Sequence, residues 1–214
     1  MQQETVLTPP ATVTDVPEAA HHVEHAEAAH HEAGTHSVAN SKLAMWLFLA
    51  SEVMFFTVLI GAYVIARTLH PEEHALLNIP LTSVNSFILL LSSFTVVRSL
   101  AGIQAGDVTK LQRSIMMTII LGFVFFAIMM YEYSHLSHEG VTLSSGPFGM
   151  AFYTLTGFHG AHVMIGLIWA MYVFWQAFNG RYTKESHWGV EFWGLYWHFV
   201  DVVWIFIFTV VYLL

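Results

Sequence analysis

Five long apolar runs dominate the chain, with the polar residues gathered before and between them. The runs cover residues 43–67, 81–101, 111–133, 150–178 and 190–214. Each supplies the roughly 20 residues that a helix rising about 1.5 Å per residue needs to cross about 30 Å of hydrocarbon. A membrane β-barrel would instead show alternating segments of about 10 residues. The pattern therefore predicts an all-α, polytopic membrane helix bundle with five transmembrane helices. Short connections make successive helices antiparallel, and the fourth run is long enough to tilt or to pass beyond the bilayer. Two regions follow: a polar, His-rich N-terminal tail over residues 1–42, and a transmembrane domain over residues 43–214.

The tail has no basic start, apolar core or small-residue cleavage site, so it reads as a mobile segment rather than a signal peptide. A transient helix across residues 17–34 is expected. Orientation follows from the basic residues. Lys42, Arg98, Lys110, Arg113, Arg181 and Lys184 fall on one side, and Arg67 alone on the other. That asymmetry predicts a cytoplasmic N-terminus and a C-terminus outside. An odd number of spans excludes a simple pair of equal inverted repeats.

Charged residues make up 10% of the chain, against about 25% in soluble domains. The chain has no cysteine, which excludes disulfides, thiolate catalysis, cysteine-ligated metals and thioether-linked haem. A formal charge of −8 argues against a nucleic-acid partner. Phosphate loops, dinucleotide fingerprints, nucleophile elbows and HExxH zinc motifs do not occur.

The few polar residues inside the runs carry the candidate chemistry. Asp201 lies mid-run, where translocon scales place an aspartate at roughly +2.5 to +3.5 kcal/mol. It needs a partner inside the protein or a watery cavity. His198 and Asp201 are spaced i,i+3, with Glu191 seven residues before His198 on much the same face. They could form a proton relay or a satisfied interhelical network. His159 and His162 share a face of the fourth run and could ligate a metal or bond to neighbouring helices. Gly157, Gly160 and Ala161 beside them form a small-residue surface for close helix approach. Glu52, about two turns into the first run, could exchange protons, bind lipid or water, or bond to another helix. Glu132, between Tyr131 and Tyr133, is expected to reach headgroups or water. Arg98, Lys110 and Arg113 are candidates for anionic lipid headgroups. The tail histidines His21, His22, His25, His30, His31 and His36 could hold a divalent metal weakly or simply be solvated.

Four segments resemble subunit III of cytochrome c oxidase, a haem-copper respiratory oxidase. These are Ser51-Glu52-Val53 with Phe55-Phe56; Glu132-Tyr133; Thr156-Gly157-Phe158-His159-Gly160 with His162-Val163; and Tyr196-Trp197-His198-Phe199-Val200-Asp201-Val202-Val203-Trp204. They occur in the family's order. The resemblance implies a non-redox subunit beside subunit I, with subunit II in the same complex. Haems and copper would reside in those partners, where dioxygen is reduced to water and protons are pumped. This chain would bind no redox cofactor. It would bind phospholipid, steady subunit I and support proton uptake, in the inner membrane of a bacterium. By motif, Glu52 matches the family's buried carboxylate. His159, His162, Glu191, His198 and Asp201 match interior polar positions, which the resemblance implies bond to one another rather than to a metal. On that basis, loss of Asp201 is expected to harm assembly. The chain resembles the short five-helix bacterial form, which lacks the first two of the long form's seven helices and hence one wall of its lipid cleft. A quinol oxidase subunit and an accessory protein of nitric oxide reduction are neighbouring alternatives. A stand-alone proton-coupled transporter using Glu52 and Asp201 is a remote one.

Overall fold

A computed structural model describes residues 18–69 and 77–214, with side chains described from residue 40 onward. The chain divides into two units, Met1–Ala44 and Met45–Leu214. The described residues are helical throughout apart from their connections. The helices are α1 (Glu18–Leu69), α2 (Ile79–Gln104), α3 (Val108–His138), α4 (Pro147–Phe178) and α5 (Trp188–Phe208), with a closing π-helical turn over Thr209–Leu213. Five stretches are long and apolar enough to cross a membrane: Asn40–Leu69, Ile79–Gln104, Val108–His138, Pro147–Phe178 and Trp188–Leu213.

Local capping, more than hydropathy, sets the helix ends, which is why the observed helices overrun most of the predicted spans. After α2, Gly106 takes a left-handed φ of 81° that a side chain would disfavour. This lets the Gly106 amide bond the Ile103 carbonyl at 2.9 Å and the Asp107 amide bond the Gly102 carbonyl at 2.9 Å. Orphan carbonyls at the helix end are thereby satisfied. Asp107 then caps α3, its carboxylate accepting from the Lys110 amide at 2.8 Å. One short hinge so closes one helix and opens the next. Gly140 and Gly180 close α3 and α4 by the same hydrogen-bond pattern.

Helices α2 to α5 form a closed ring: α2 packs on α3 and α5, and α4 packs on the other sides of both. Their buried positions repeat at alternating steps of three and four residues. On α2 these are Thr82, Asn85, Leu89, Ser92, Val96, Ser99 and Ile103. On α5 they are Val190, Trp193, Trp197, Val200, Trp204 and Ile207. This is the repeat of left-handed coiled-coil packing. The inner stripe of α2 mixes small or polar residues (Thr82, Asn85, Ser92 and Ser99) with Leu89, Val96 and Ile103, whereas Phe87 and Phe94 point outward. In lipid, small residues at the interface let backbones approach closely.

Trp197 locks the ring. A Cβ added at Gly122 of α3 would stand 3.0 Å from its ring, and one at Gly166 of α4 would stand 2.9 Å away. Its Nε1 donates to Ser92 Oγ of α2 at 2.9 Å. One fully buried side chain on α5 thus meets all three other helices of the ring. Trp204 donates likewise to Ser86 Oγ at 2.9 Å, and Trp193 to the Gly166 carbonyl at 3.2 Å.

Within residues 45–214, α1 lies outside this ring and buries only Leu49, Phe56, Tyr63 and Ala66. Leu49, Phe56 and Tyr63 recur every seven residues, a single narrow stripe. Two donors fasten its far end to the closing turn of α5. Tyr63 Oη donates to the Val211 carbonyl at 3.4 Å, and Arg67 Nη1 to the Val210 carbonyl at 3.3 Å.

Gly166→Ala is expected to destabilise the detergent-purified protein by about 1–3 kcal/mol, because the added methyl collides with a ring that cannot retreat. Thermal unfolding checks this, and an unchanged or raised Tm would contradict the tight slot.

Candidate functional site

The interior polar groups do not form one network. His159, His162 and His198 each bond to a group outside the predicted set, and Asp201 bonds to none of them.

His162 meets Glu52, bringing α1 onto α4. His162 Nε2 and Glu52 Oε2 are 3.2 Å apart, and both side chains are largely buried. His162 Nδ1 lies 2.7 Å from the Phe158 carbonyl, one turn earlier on the same helix. A carbonyl can only accept, so Nδ1 donates. The Nε2 to Oε2 contact is then the second hydrogen bond of the imidazole, and it ties α4 to α1. Phe56 stands edge-on to the imidazole at 5.1 Å, and the Tyr196 ring lies near-parallel to it at 6.5 Å while its hydroxyl donates to the His162 carbonyl at 3.2 Å.

His159 is fully buried, with Nε2 donating to the Val200 carbonyl of α5 at 3.3 Å and its ring 4.7 Å from that of Trp204. His198 Nδ1 bonds Ser93 Oγ of α2 at 2.6 Å. Asp201, 3% exposed, lies near the same serine, yet neither carboxyl oxygen makes a well-formed hydrogen bond among the described residues. Glu191, at the start of α5, pairs with His187 at 3.3 Å.

Glu132 overturns its sequence expectation. It is 4% exposed and turns inward, accepting from Thr82 Oγ1 of α2 at 2.9 Å, with the Tyr212 hydroxyl alongside. A small cavity of about 70 Å³ adjoins it, lined in part by Asn78, Tyr131 and His135. The signal for this is register: 125, 129, 132 and 136 continue the buried three-four repeat of α3.

Arg98, Lys110 and Arg113 are brought together, lining one open groove of about 530 Å³ between α2 and α3. Among the described residues, no three His, Asp or Glu side chains converge as a metal site would require. The tail histidines lie outside the described side chains.

Two substitutions separate these roles in the purified subunit. Glu52→Ala strands His162 Nε2 and is expected to cost about 1–3 kcal/mol, whereas Glu52→Gln offers an amide donor to the same nitrogen and preserves most of that stability. Asp201→Asn removes no formed hydrogen bond, so its cost to the isolated subunit is expected to stay within about 1 kcal/mol. Thermal unfolding of the three variants checks both statements. Equal losses for the two Glu52 variants, or a large loss for Asp201→Asn, would contradict them.

The chain matches the family model for Cytochrome c oxidase subunit III over residues 21–214. It is 44% identical to the cytochrome c oxidase subunit 3 of Synechocystis sp. over 173 residues, covering 78% of this chain and 73% of that one. It is 37% identical to the cytochrome c oxidase subunit 3 of Bacillus subtilis over 181 residues, 82% of this chain and 86% of that one. A quinol oxidase subunit 3 of Bacillus subtilis is 34% identical over 177 residues, 80% of this chain and 86% of that one. With five membrane-crossing helices and a family match across all of them, the chain belongs to the cytochrome c oxidase subunit III family.

Proposed function

We propose that this chain is the non-redox subunit III of a proton-pumping cytochrome c oxidase in a bacterial inner membrane, with its N-terminus in the cytoplasm. Subunit I is its direct partner, and subunit II belongs to the same complex. Those partners carry the haems and copper and reduce dioxygen to water. This chain steadies subunit I, binds phospholipid and supports proton uptake.

The observation that carries this reading is the family match across all five spans. The geometry is consistent with it. His162 is committed to Glu52 and to the Phe158 carbonyl, and His198 to Ser93. Glu52 and His162 join α1 to α4 by a hydrogen bond at a largely buried position, a structural link rather than a redox ligand set.

A quinol oxidase is the second reading, favoured by the quinol oxidase subunit among the relatives. The electron donor separates the two. Oxygen uptake by the purified complex is expected with reduced cytochrome c, and uptake driven by a quinol alone would favour the second. In the same complex, Glu52→Gln is expected to leave the initial rate of oxygen reduction within about twofold of wild type, below one tenfold step of about 1.4 kcal/mol. A complex that assembles normally but has lost turnover from its first seconds would contradict a non-redox role.

A further inference from the structure

We propose that the groove between α2 and α3 is a specific site for an anionic diacyl phospholipid. Its phosphate sits among Arg98, Lys110 and Arg113, and an acyl chain runs along Phe94, Met117 and Leu121.

The basic end of the groove lies inside the membrane-spanning helices. Arg98 is six residues before Gln104, the last of α2 (104 − 98), and Arg113 is five after Val108, the first of α3 (113 − 108). At about 1.5 Å per residue, the two stand roughly 8–9 Å inside the helix ends. Exposed cations near a helix end that faces the membrane interface attract anionic groups. Neither arginine forms an ion pair with an acidic side chain among the described residues. Asp107 also lines the groove, but its carboxylate is already accepting from the Lys110 amide at 2.8 Å. The acidic side chains of the described residues therefore leave both arginines open to an anion from outside the chain.

The lysine is held in place by packing. Its Cβ and Cγ lie over Gly102, where an added Cβ would stand 3.3 and 3.2 Å from them. Glycine at 102 therefore lets the lysine stem cross the interhelical seam, with both arginines exposed beside it. Two guanidinium forks and an ammonium form a phosphate-binding set.

The other end of the groove is apolar. Phe94 is 62% exposed and Met117 57% exposed, one from each wall. Thr95, which also lines the groove, has its hydroxyl bonded to Thr118 Oγ1 at 2.7 Å. A free phosphate would use only the basic end. A neutral lipid would leave the cations without a net negative charge. An anionic lipid with its chains attached uses both ends. The groove volume of about 530 Å³ falls in the range of ligand sites. The basic residues also lie at the predicted cytoplasmic end, where anionic headgroups recruit lysine and arginine.

This deepens the lipid-binding part of the proposed function. It needs only that the chain spans a membrane, so its failure would leave the oxidase reading intact. The test is native mass spectrometry of the delipidated complex in mild detergent, titrated separately with dioleoylphosphatidylglycerol, dioleoylphosphatidylcholine and glycerol 3-phosphate. Wild type is expected to retain phosphatidylglycerol at least tenfold more tightly than the Arg98→Gln/Arg113→Gln double variant. Phosphatidylcholine should not replace it, and glycerol 3-phosphate should not displace it. Met117→Trp, which fills the apolar half and leaves the cations untouched, should weaken retention similarly. Equal retention by wild type and a folded variant would overturn the proposal. So would displacement by glycerol 3-phosphate, or an acidic partner helix cross-linked at Lys110 in the native complex.

Discussion

Helices in hydrocarbon gain little by hiding apolar surface from one another, because lipid is as apolar as leucine. Cohesion must come from close approach and from polar bonds between helices. The bundle uses both along one repeat. Small and hydroxyl side chains line α2 and α3 where they meet, while α5 supplies tryptophans that fill the space those residues leave. Trp197 shows the coupling most directly: glycine at 122 and 166 makes room for the ring, and Ser92 takes its N–H. Losing the room would push the ring off its hydrogen bond, so volume and polarity cannot be tuned separately.

With α2 to α5 closed on themselves, α1 is free to be peripheral. Its one buried stripe gives it little packing, and polar contacts hold it at two heights. Glu52 meets His162 in the middle of the span, and Tyr63 and Arg67 reach carbonyls of the closing turn of α5. The remaining faces of α1 show Leu47, Met54, Val58 and Ile65 to the surroundings. A loosely packed apolar helix that carries, among the described residues, the one carboxylate–imidazole pair between helices suits a subunit that works against a larger neighbour.

Much of this is legible in the sequence, but unevenly. The five spans follow from hydropathy because nothing else tolerates runs so long and apolar. Their ends do not, since α3 continues to His138 until Gly140 can close it. The polar residues stand out in the sequence as unusual, yet their partners do not. His162 and Glu52 are 110 positions apart, and only the fold brings α1 against α4. The tyrosines beside Glu132 suggest an interface and so point it outward. The three-four register that it shares with Phe125, Met129 and Leu136 turns it inward, and the register is the stronger guide. Amphipathicity in the usual sense misleads here, as serine and threonine lie inside α2 and phenylalanine outside. The rule of small residues within and large residues toward lipid picks out the inner face of α2 correctly.

On this reading the chain is a scaffold attached to a redox engine that it does not itself contain. A reduced-minus-oxidised absorption spectrum of whatever co-purifies with the affinity-tagged chain in mild detergent tests that most directly. The prediction is a stoichiometric complex with haem bands and larger subunits. A haem-free protein that elutes alone from membranes with active respiration, and that moves protons or solute by itself in vesicles, would contradict it.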